Sequence, residues 1–208
     1  MPLDTKEKLL RATLSLISEK GYLGATTREI STRAGVTELT LFRHFGSKEK
    51  LFEEVLKRYT FLPKLKELGP DLETMPYPEA LNTIGLQFLE TLRERKSLVK
   101  IILSELNLYP EKVRDVHTGF VDEMVRILGE YMKKLQDSET IRSFPPEDGA
   151  RLFLRSIFSY FLSEEILRGK NLQKKEMERS IALFVDIFMH GTLKKNRKAR
   201  TRKSAGGK

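Results

Sequence analysis

Cysteine and tryptophan are absent from this chain of 208 residues, and histidine occurs only three times. Without cysteine there can be no disulfide, no thiolate metal ligand and no cysteine nucleophile. A metal site would have to rest on the scattered His44, His117 and His190, which is a poor basis for one. A glycine-rich phosphate loop, a GxSxG motif and an HExxH motif are missing as well. We therefore expect no metal, no cofactor and no enzymatic activity.

Long hydrophobic runs are also missing. No apolar run reaches the length of about 18 residues that a membrane-spanning helix needs. The N-terminal MPLDTKEK lacks the apolar centre of a signal peptide. These absences favour a cytoplasmic protein without a membrane partner.

The net charge of +9 is unevenly distributed along the chain. Residues 194–208 contain eight basic residues and no acidic one, and without them the chain is close to neutral. We expect this segment to be a disordered basic tail. It either adds nonspecific affinity for phosphate groups or merely keeps the chain soluble.

The stretch from Thr26 to Phe45 contains two short amphipathic segments with Gly35 between them. Thr26 and Glu29 have the spacing of a capping box, and Thr37 can cap the second segment. Both segments can bury one face across a tight turn. Their apolar positions are Ile30, Ala34, Val36, Leu41 and Phe45. The pattern predicts a helix-turn-helix whose second helix, at about 38–45, can lie in a major groove of DNA.

The sequence AGVTELTLFRHFGSKEKLF within this region closely resembles the signature of TetR/AcrR-type transcriptional regulators. The resemblance extends over about the first 60 residues; beyond them it covers only length and an all-helical pattern. It implies an all-α fold in which an N-terminal three-helix DNA-binding domain is joined by a long fourth helix to a helical ligand-binding and dimerisation domain. We expect a DNA-binding domain at 1–47, the second domain at 48–193 and the tail at 194–208.

The same resemblance assigns the DNA-contacting residues. Family roles in holding the phosphate backbone fall on Thr27, Thr37, Phe42, His44 and Lys48. Phe42 stands where tyrosine is more common, so only packing against a sugar remains there. Glu38 either accepts a hydrogen bond from a cytosine amino group or repels phosphate and sharpens the register. The full predicted set is Thr27, Arg28, Thr37, Glu38, Leu39, Thr40, Phe42, Arg43, His44 and Lys48.

Further amphipathic helices are predicted after residue 60. The stretch GPDLETMPYP, residues 69–78, contains three prolines and is interpreted as a loop between domains. Helical periodicity follows at about 79–95, 97–108, 110–136, from 147 onward and 174–193.

The resemblance also implies a small-molecule pocket among these helices and the end of the fourth helix. Polar residues among apolar neighbours are useful indicators because a buried polar group needs a partner, although that partner can be the protein itself. The predicted lining residues are Tyr59, Phe88, Thr91, Glu105, His117, Phe120 and Met124. The leucine, isoleucine and phenylalanine content favours an apolar effector.

The last two predicted helices are apolar over more than one face, so each needs two packing partners. One partner is the helix's own domain, and we expect the other to be the same helix pair of a second subunit. The predicted interface residues are Ile157, Phe158, Phe161, Ile181, Phe184 and Phe188. Such a two-fold dimer requires DNA half-sites in inverted repeat.

The sequence as a whole favours a homodimeric regulator, by family expectation a repressor. It would bind double-stranded DNA at a pseudo-palindromic operator and be released by a small apolar molecule. Two alternatives stay open at this point. The protein could be a DNA-binding regulator without a small ligand, or a helical lipid-binding protein that does not bind DNA.

Overall fold

A computed structural model of the chain describes residues 4–105 and 111–193, and within the helices the side chains of residues 104, 105, 112, 113, 116 and 117 lie outside the description. Over the described ranges the fold is all-helical, as predicted. The α-helices are α1 (Thr5–Gly24), α2 (Thr27–Ala34), α3 (Glu38–Phe45), α4 (Lys48–Tyr59), α5 (Leu62–Leu72), α6 (Tyr77–Glu94), α7 (Lys96–Glu105), α8 (Glu111–Asp137), α9 (Pro146–Phe161) and α10 (Lys174–Thr192). A π-helical turn, Leu162–Leu167, extends α9.

The local signals of the N-terminal region act as the sequence predicts. The Thr26 side chain accepts a hydrogen bond from the Glu29 amide, and the Glu29 carboxylate accepts one from the Thr26 amide, which completes the capping box. Thr37 caps α3. Gly35 joins α2 to α3 at a φ of +71°, a conformation that costs glycine little and would strain a larger residue. The helix-turn-helix geometry is therefore determined largely by residues close in sequence.

The fourth helix is shorter than the resemblance implied. It has 12 residues and ends at Tyr59, where Thr60 takes an extended conformation and its hydroxyl donates to the Leu56 carbonyl. Pro63 then lies in the first turn of α5, where its missing amide proton costs nothing. The segment between the two halves of the molecule is thus α4 followed by α5, not one continuous helix.

The predicted loop at residues 69–78 is wrong over much of its length. Gly69 and Pro70 belong to α5, and only residues 73–76 connect α5 to α6. Proline inside a helix costs about 3 kcal/mol. Here burial outweighs that local preference, because α5 buries one leucine face, consisting of Leu62, Leu65, Leu68 and Leu72.

Two hydrophobic cores organise the described chain. The larger one joins α5, α6, α8, α9 and α10, and α6 approaches α10 so closely that a Cβ at Gly85 would lie 2.8 Å from Ile181 Cγ2. The smaller core joins α1 to α4 and also contains Leu98 and Ile102 of α7. Helix α7 therefore packs on α1 although it lies far along the chain. No helix in 4–105 or 111–193 is long and apolar enough to cross a bilayer.

Candidate functional site

Helix α3 buries one face and exposes the other. Leu41 and Phe45 are buried in the smaller core, whereas Leu39 is 79% exposed and Phe42 is 42% exposed. Arg43 and His44 are exposed too, and Glu38 and Thr40 are partly exposed. Leu39 and Phe42 are three residues apart, so they lie next to each other on the exposed side of α3. The structure thus collects the predicted α3 residues on one face.

The starts of α2 and α3 are tied together by side chains. The Thr27 hydroxyl donates a hydrogen bond to Oε1 of Glu38 across the turn. The Thr37 and Thr40 hydroxyls lie 2.9 Å apart, and the Thr37 hydroxyl also accepts from the Thr40 amide at 3.3 Å. The Glu38 carboxylate is therefore held in place on the exposed face. The Thr27–Glu38 bond could not be predicted from the sequence, because it depends on the angle between the two helices.

The basic residues of this face differ in their surroundings. Lys48 Nζ lies 4.3 Å from the centre of the Tyr22 ring, a cation–π contact at the first turn of α4. Arg28 and Arg43 are exposed, and within the described chain neither has a carboxylate within ion-pair distance. Their charges are available to an anionic partner. Amide groups at the start of α4, next to Lys48, favour the same partner.

Ion pairs hold α2 against α1 behind this face. Lys20 Nζ lies 2.6 Å from Glu29 Oε1, and Arg33 Nη1 lies 2.5 Å from Glu19 Oε1. The Lys20 bond, followed by the Thr26 amide, lowers the pKa of Glu29 to about 2. Glu29 is accordingly ionised at neutral pH and serves the helix cap and the ion pair together.

A cavity of about 280 Å³ lies among the helices of the C-terminal half and the end of α4. Its wall is mostly apolar. Five of the seven predicted pocket residues line it, namely Tyr59, Phe88, Thr91, Phe120 and Met124. The side chains of Glu105 and His117 lie outside the described residues. No measurement tests these ligand contacts, so they stay predictions.

Three arginines that sequence reasoning missed also line the cavity: Arg95, Arg151 and Arg155. Arg95 stacks over the Tyr59 ring, with 5.3 Å between its guanidinium carbon and the ring centre. Arg151 Nη1 donates to Asp122 Oδ1 at 3.2 Å. A signal was present, since Arg151 and Arg155 are four residues apart and Leu154 lies between them, so all three share one face of α9.

The cavity wall is shared between the two cores. Leu56 of α4 and Leu98 and Ile102 of α7 line the cavity, and the same three side chains belong to the smaller core around α1. A molecule in the cavity would therefore touch residues that support the helix-turn-helix.

The structure corrects half of the predicted dimer interface. Ile157, Phe161 and Ile181 are 0% exposed, because they pack inside their own chain. Apolar periodicity alone could not distinguish the inner face of α9 and α10 from the outer one. Of the other three predicted residues, all half-buried, Phe158 lines the cavity, Phe184 packs against Tyr160 and Phe188 packs against Phe153.

The outer face of α9 and α10 carries different apolar side chains. Leu152 is 64% exposed, Leu183 55% and Ile187 62%. Residues 183 and 187 lie one turn apart on α10. Exposed aliphatic residues on two adjacent helices favour contact with another protein surface.

Comparison with known proteins gives consistent results. The family model "Bacterial regulatory proteins, tetR family" matches residues 9–55. The HTH-type transcriptional regulator YvkB of Bacillus subtilis is 32% identical over 187 residues, which are 87% of this chain and 95% of YvkB. IcaR of Staphylococcus aureus, a negative transcriptional regulator of the biofilm operon icaADBC, is 25% identical over 188 residues, 88% of this chain and 98% of IcaR. A TetR-family regulator structure from Mesorhizobium loti has a TM-score of 0.71 at 21% identity, over 91% of this chain and 97% of that one.

Proposed function

Because this chain belongs to the tetR family and is a DNA-binding transcriptional regulator, we propose that it is a homodimeric repressor whose operator affinity is controlled by a small molecule in its cavity. The prediction of a regulator rather than an enzyme is confirmed by this membership, which also sets aside a lipid-binding protein without DNA binding. The observation that carries the proposal is the shared wall. Leu56, Leu98 and Ile102 belong both to the cavity and to the core that supports α3.

In this proposal α3 enters the major groove with its exposed face toward the base edges. Thr40, Arg43 and Glu38 read bases, and Leu39 offers an apolar contact to a thymine methyl group. The other predicted contacts fix the position of the domain on the backbone. These are Thr27, Arg28, Thr37, Phe42, His44 and Lys48.

The second subunit is proposed to pack against the outer face of α9 and α10. Leu152, Leu183 and Ile187 supply exposed apolar surface there. A two-fold contact of this kind brings two copies of each helix together as a four-helix interface. The two α3 helices then face half-sites in inverted repeat, about 34–36 Å apart or a multiple of this distance.

Release is proposed to be a population shift. An effector can favour a spacing of the two α3 helices that does not match the spacing of the half-sites. It then weakens DNA binding only by its differential affinity for the two conformations. Repression as the direction of control is supported by IcaR, which is a negative regulator. The cavity favours this mechanism over the alternative of a regulator without a small ligand.

Selection of bound sites from a random duplex library, with the full-length protein, tests the DNA side of the proposal. We expect an enriched inverted repeat and, by sedimentation, a free protein of twice the 24.1 kDa chain mass. A single unrepeated motif bound by a monomer would contradict the dimer. Salt-sensitive binding with no enriched sequence would contradict operator recognition altogether.

A further inference from the structure

We propose that the cavity takes an amphipathic anion, a molecule with an apolar body and a carboxylate or comparable anionic group. This inference names the ligand class of the proposed effector site, and it rests on that proposed function. The structural basis is the combination of an apolar wall with three arginines, Arg95, Arg151 and Arg155.

The body of the cavity suits a hydrocarbon. Phe88, Leu92, Met124 and Leu154 line it and are nearly completely buried. Moving an apolar ligand from water into such surroundings is favourable in proportion to the area removed from water. Its volume of about 280 Å³ is close to the lower limit for ligand pockets. A single medium-sized apolar chain or ring system therefore fits this space.

Arg95 and Arg155 differ in their surroundings from the nearby Arg93. Arg93, two residues before Arg95, donates to the buried Glu165 at 2.8 Å. Within the described chain, by contrast, Arg95 and Arg155 have no carboxylate within ion-pair distance, and Arg95 rests instead on the Tyr59 ring. Arg151 contacts Asp122 through one nitrogen and keeps other donors. Among the described residues, Arg95 and Arg155 thus bring positive charge to the cavity wall that no carboxylate pairs.

The sign of the charge sets the expected selectivity. None of the described residues that line the cavity is acidic. An arginine fork matches the planar geometry of a carboxylate and forms strong, charge-assisted hydrogen bonds. Among the described lining residues a cationic amphiphile would meet like charges and no carboxylate, and a neutral one would leave Arg95 and Arg155 without an ionic partner. Affinity should therefore fall from anion to neutral molecule to cation.

Calorimetric titration of the full-length protein with three probes of equal chain length tests this order. The probes are dodecanoate and dodecyltrimethylammonium, each below its critical micelle concentration, and dodecan-1-ol below its solubility limit. We expect dodecanoate to bind tightest, by about tenfold to a hundredfold over dodecan-1-ol, as one charge-assisted hydrogen bond predicts. 2-Naphthoate in a parallel titration distinguishes an aromatic from an aliphatic body, and tighter binding of either anion than of the alcohol supports the proposal.

Substitutions test which arginines bind the anionic group. Arg155→Gln and Arg95→Gln should each weaken the binding of dodecanoate by about tenfold and leave the affinity for dodecan-1-ol unchanged. Arg114→Gln is the matched control, because Arg114 is exposed and does not line the cavity. Equal affinity for the anion and the alcohol, tighter binding of the cation, or an equal loss in Arg114→Gln would overturn the proposal. Operator binding measured without any probe is independent of these outcomes, so failure here is distinguishable from failure of the proposed DNA function.

Discussion

The hydroxyl of Tyr59 donates a hydrogen bond of 2.9 Å to Oε1 of Glu7 in α1. Burial raises the pKa of Tyr59, and the hydrogen bond from Arg11 is the main cause of the lowered pKa of Glu7. The bond therefore joins a neutral phenol to an ionised carboxylate. Since the Tyr59 side chain also lines the cavity, one residue touches both the cavity and the helix that supports α3.

Replacing Tyr59 by phenylalanine keeps the ring in the cavity wall and removes this bond. We expect a stability loss of about 1–3 kcal/mol by urea unfolding, because a hydrogen bond to a charged group is lost. Operator affinity without effector should change little, while more effector should be needed for release. Tyr160→Phe is the control, since the Tyr160 hydroxyl bonds Ser180 instead. If the effector releases the variant from the operator at the same concentration as the wild type, the Tyr59–Glu7 bond does not couple the cavity to DNA binding.

Glu38 is expected to discriminate between bases. Glu38→Ala should relax the preference at one base pair of each half-site by about 1–3 kcal/mol, measured by competition between operator variants. Thr27→Val should cause part of the same loss, because the Thr27 hydroxyl holds the carboxylate. Glu67→Ala, at an exposed position of α5, is the control. If Glu38→Ala instead raises affinity for all sequences alike, the carboxylate only repels phosphate.

Replacing Lys48 and replacing Arg43 should affect DNA binding differently. Lys48→Ala should weaken binding to all sequences and lower the slope of log affinity against log salt by about 0.9, as the loss of one phosphate contact predicts. Arg43→Ala should change which half-site is preferred, by about 1–3 kcal/mol. Binding titrations over a salt series with operator and random duplexes measure both. A loss confined to the operator for Lys48→Ala would contradict its phosphate role.

The ion pair at the start of α2 predicts a pH dependence. Binding to Lys20 and to the Thr26 amide lowers the pKa of Glu29 from 4.5 to about 2. The ionised form is thus favoured by folding, and its stabilisation is complete above pH 4.5 and lost as the pH falls toward 2. The melting temperature of Glu29→Gln should lie below that of wild type at pH 7 and approach it in acid. A constant difference in melting temperature between Glu29→Gln and the wild type over this pH range would contradict the assignment.

The sequence predicted what depends on near neighbours along the chain. The Thr26–Glu29 capping box and the turn at Gly35 are set by residues a few positions apart, and both were read correctly. Pro70 was misread because the burial of the α5 leucines, which comes from tertiary packing, outweighs a local preference. Likewise the inward position of Ile157 and the gathering of arginines at the cavity depend on how distant helices pack. Periodicity marks an apolar face without saying what covers it.

The central claim is that occupancy of the cavity controls operator affinity. Met124 is buried in the cavity wall, so Met124→Trp should fill the space without altering α3. The operator affinity of the wild type and of Met124→Trp is measured by fluorescence anisotropy of the selected operator. Each protein is titrated with a molecule that has been found to release the wild type. The account predicts that the wild type loses operator affinity as this molecule is added, whereas Met124→Trp binds the operator and no longer responds. Release of both proteins at the same concentration would contradict it, because the molecule would then act outside the cavity.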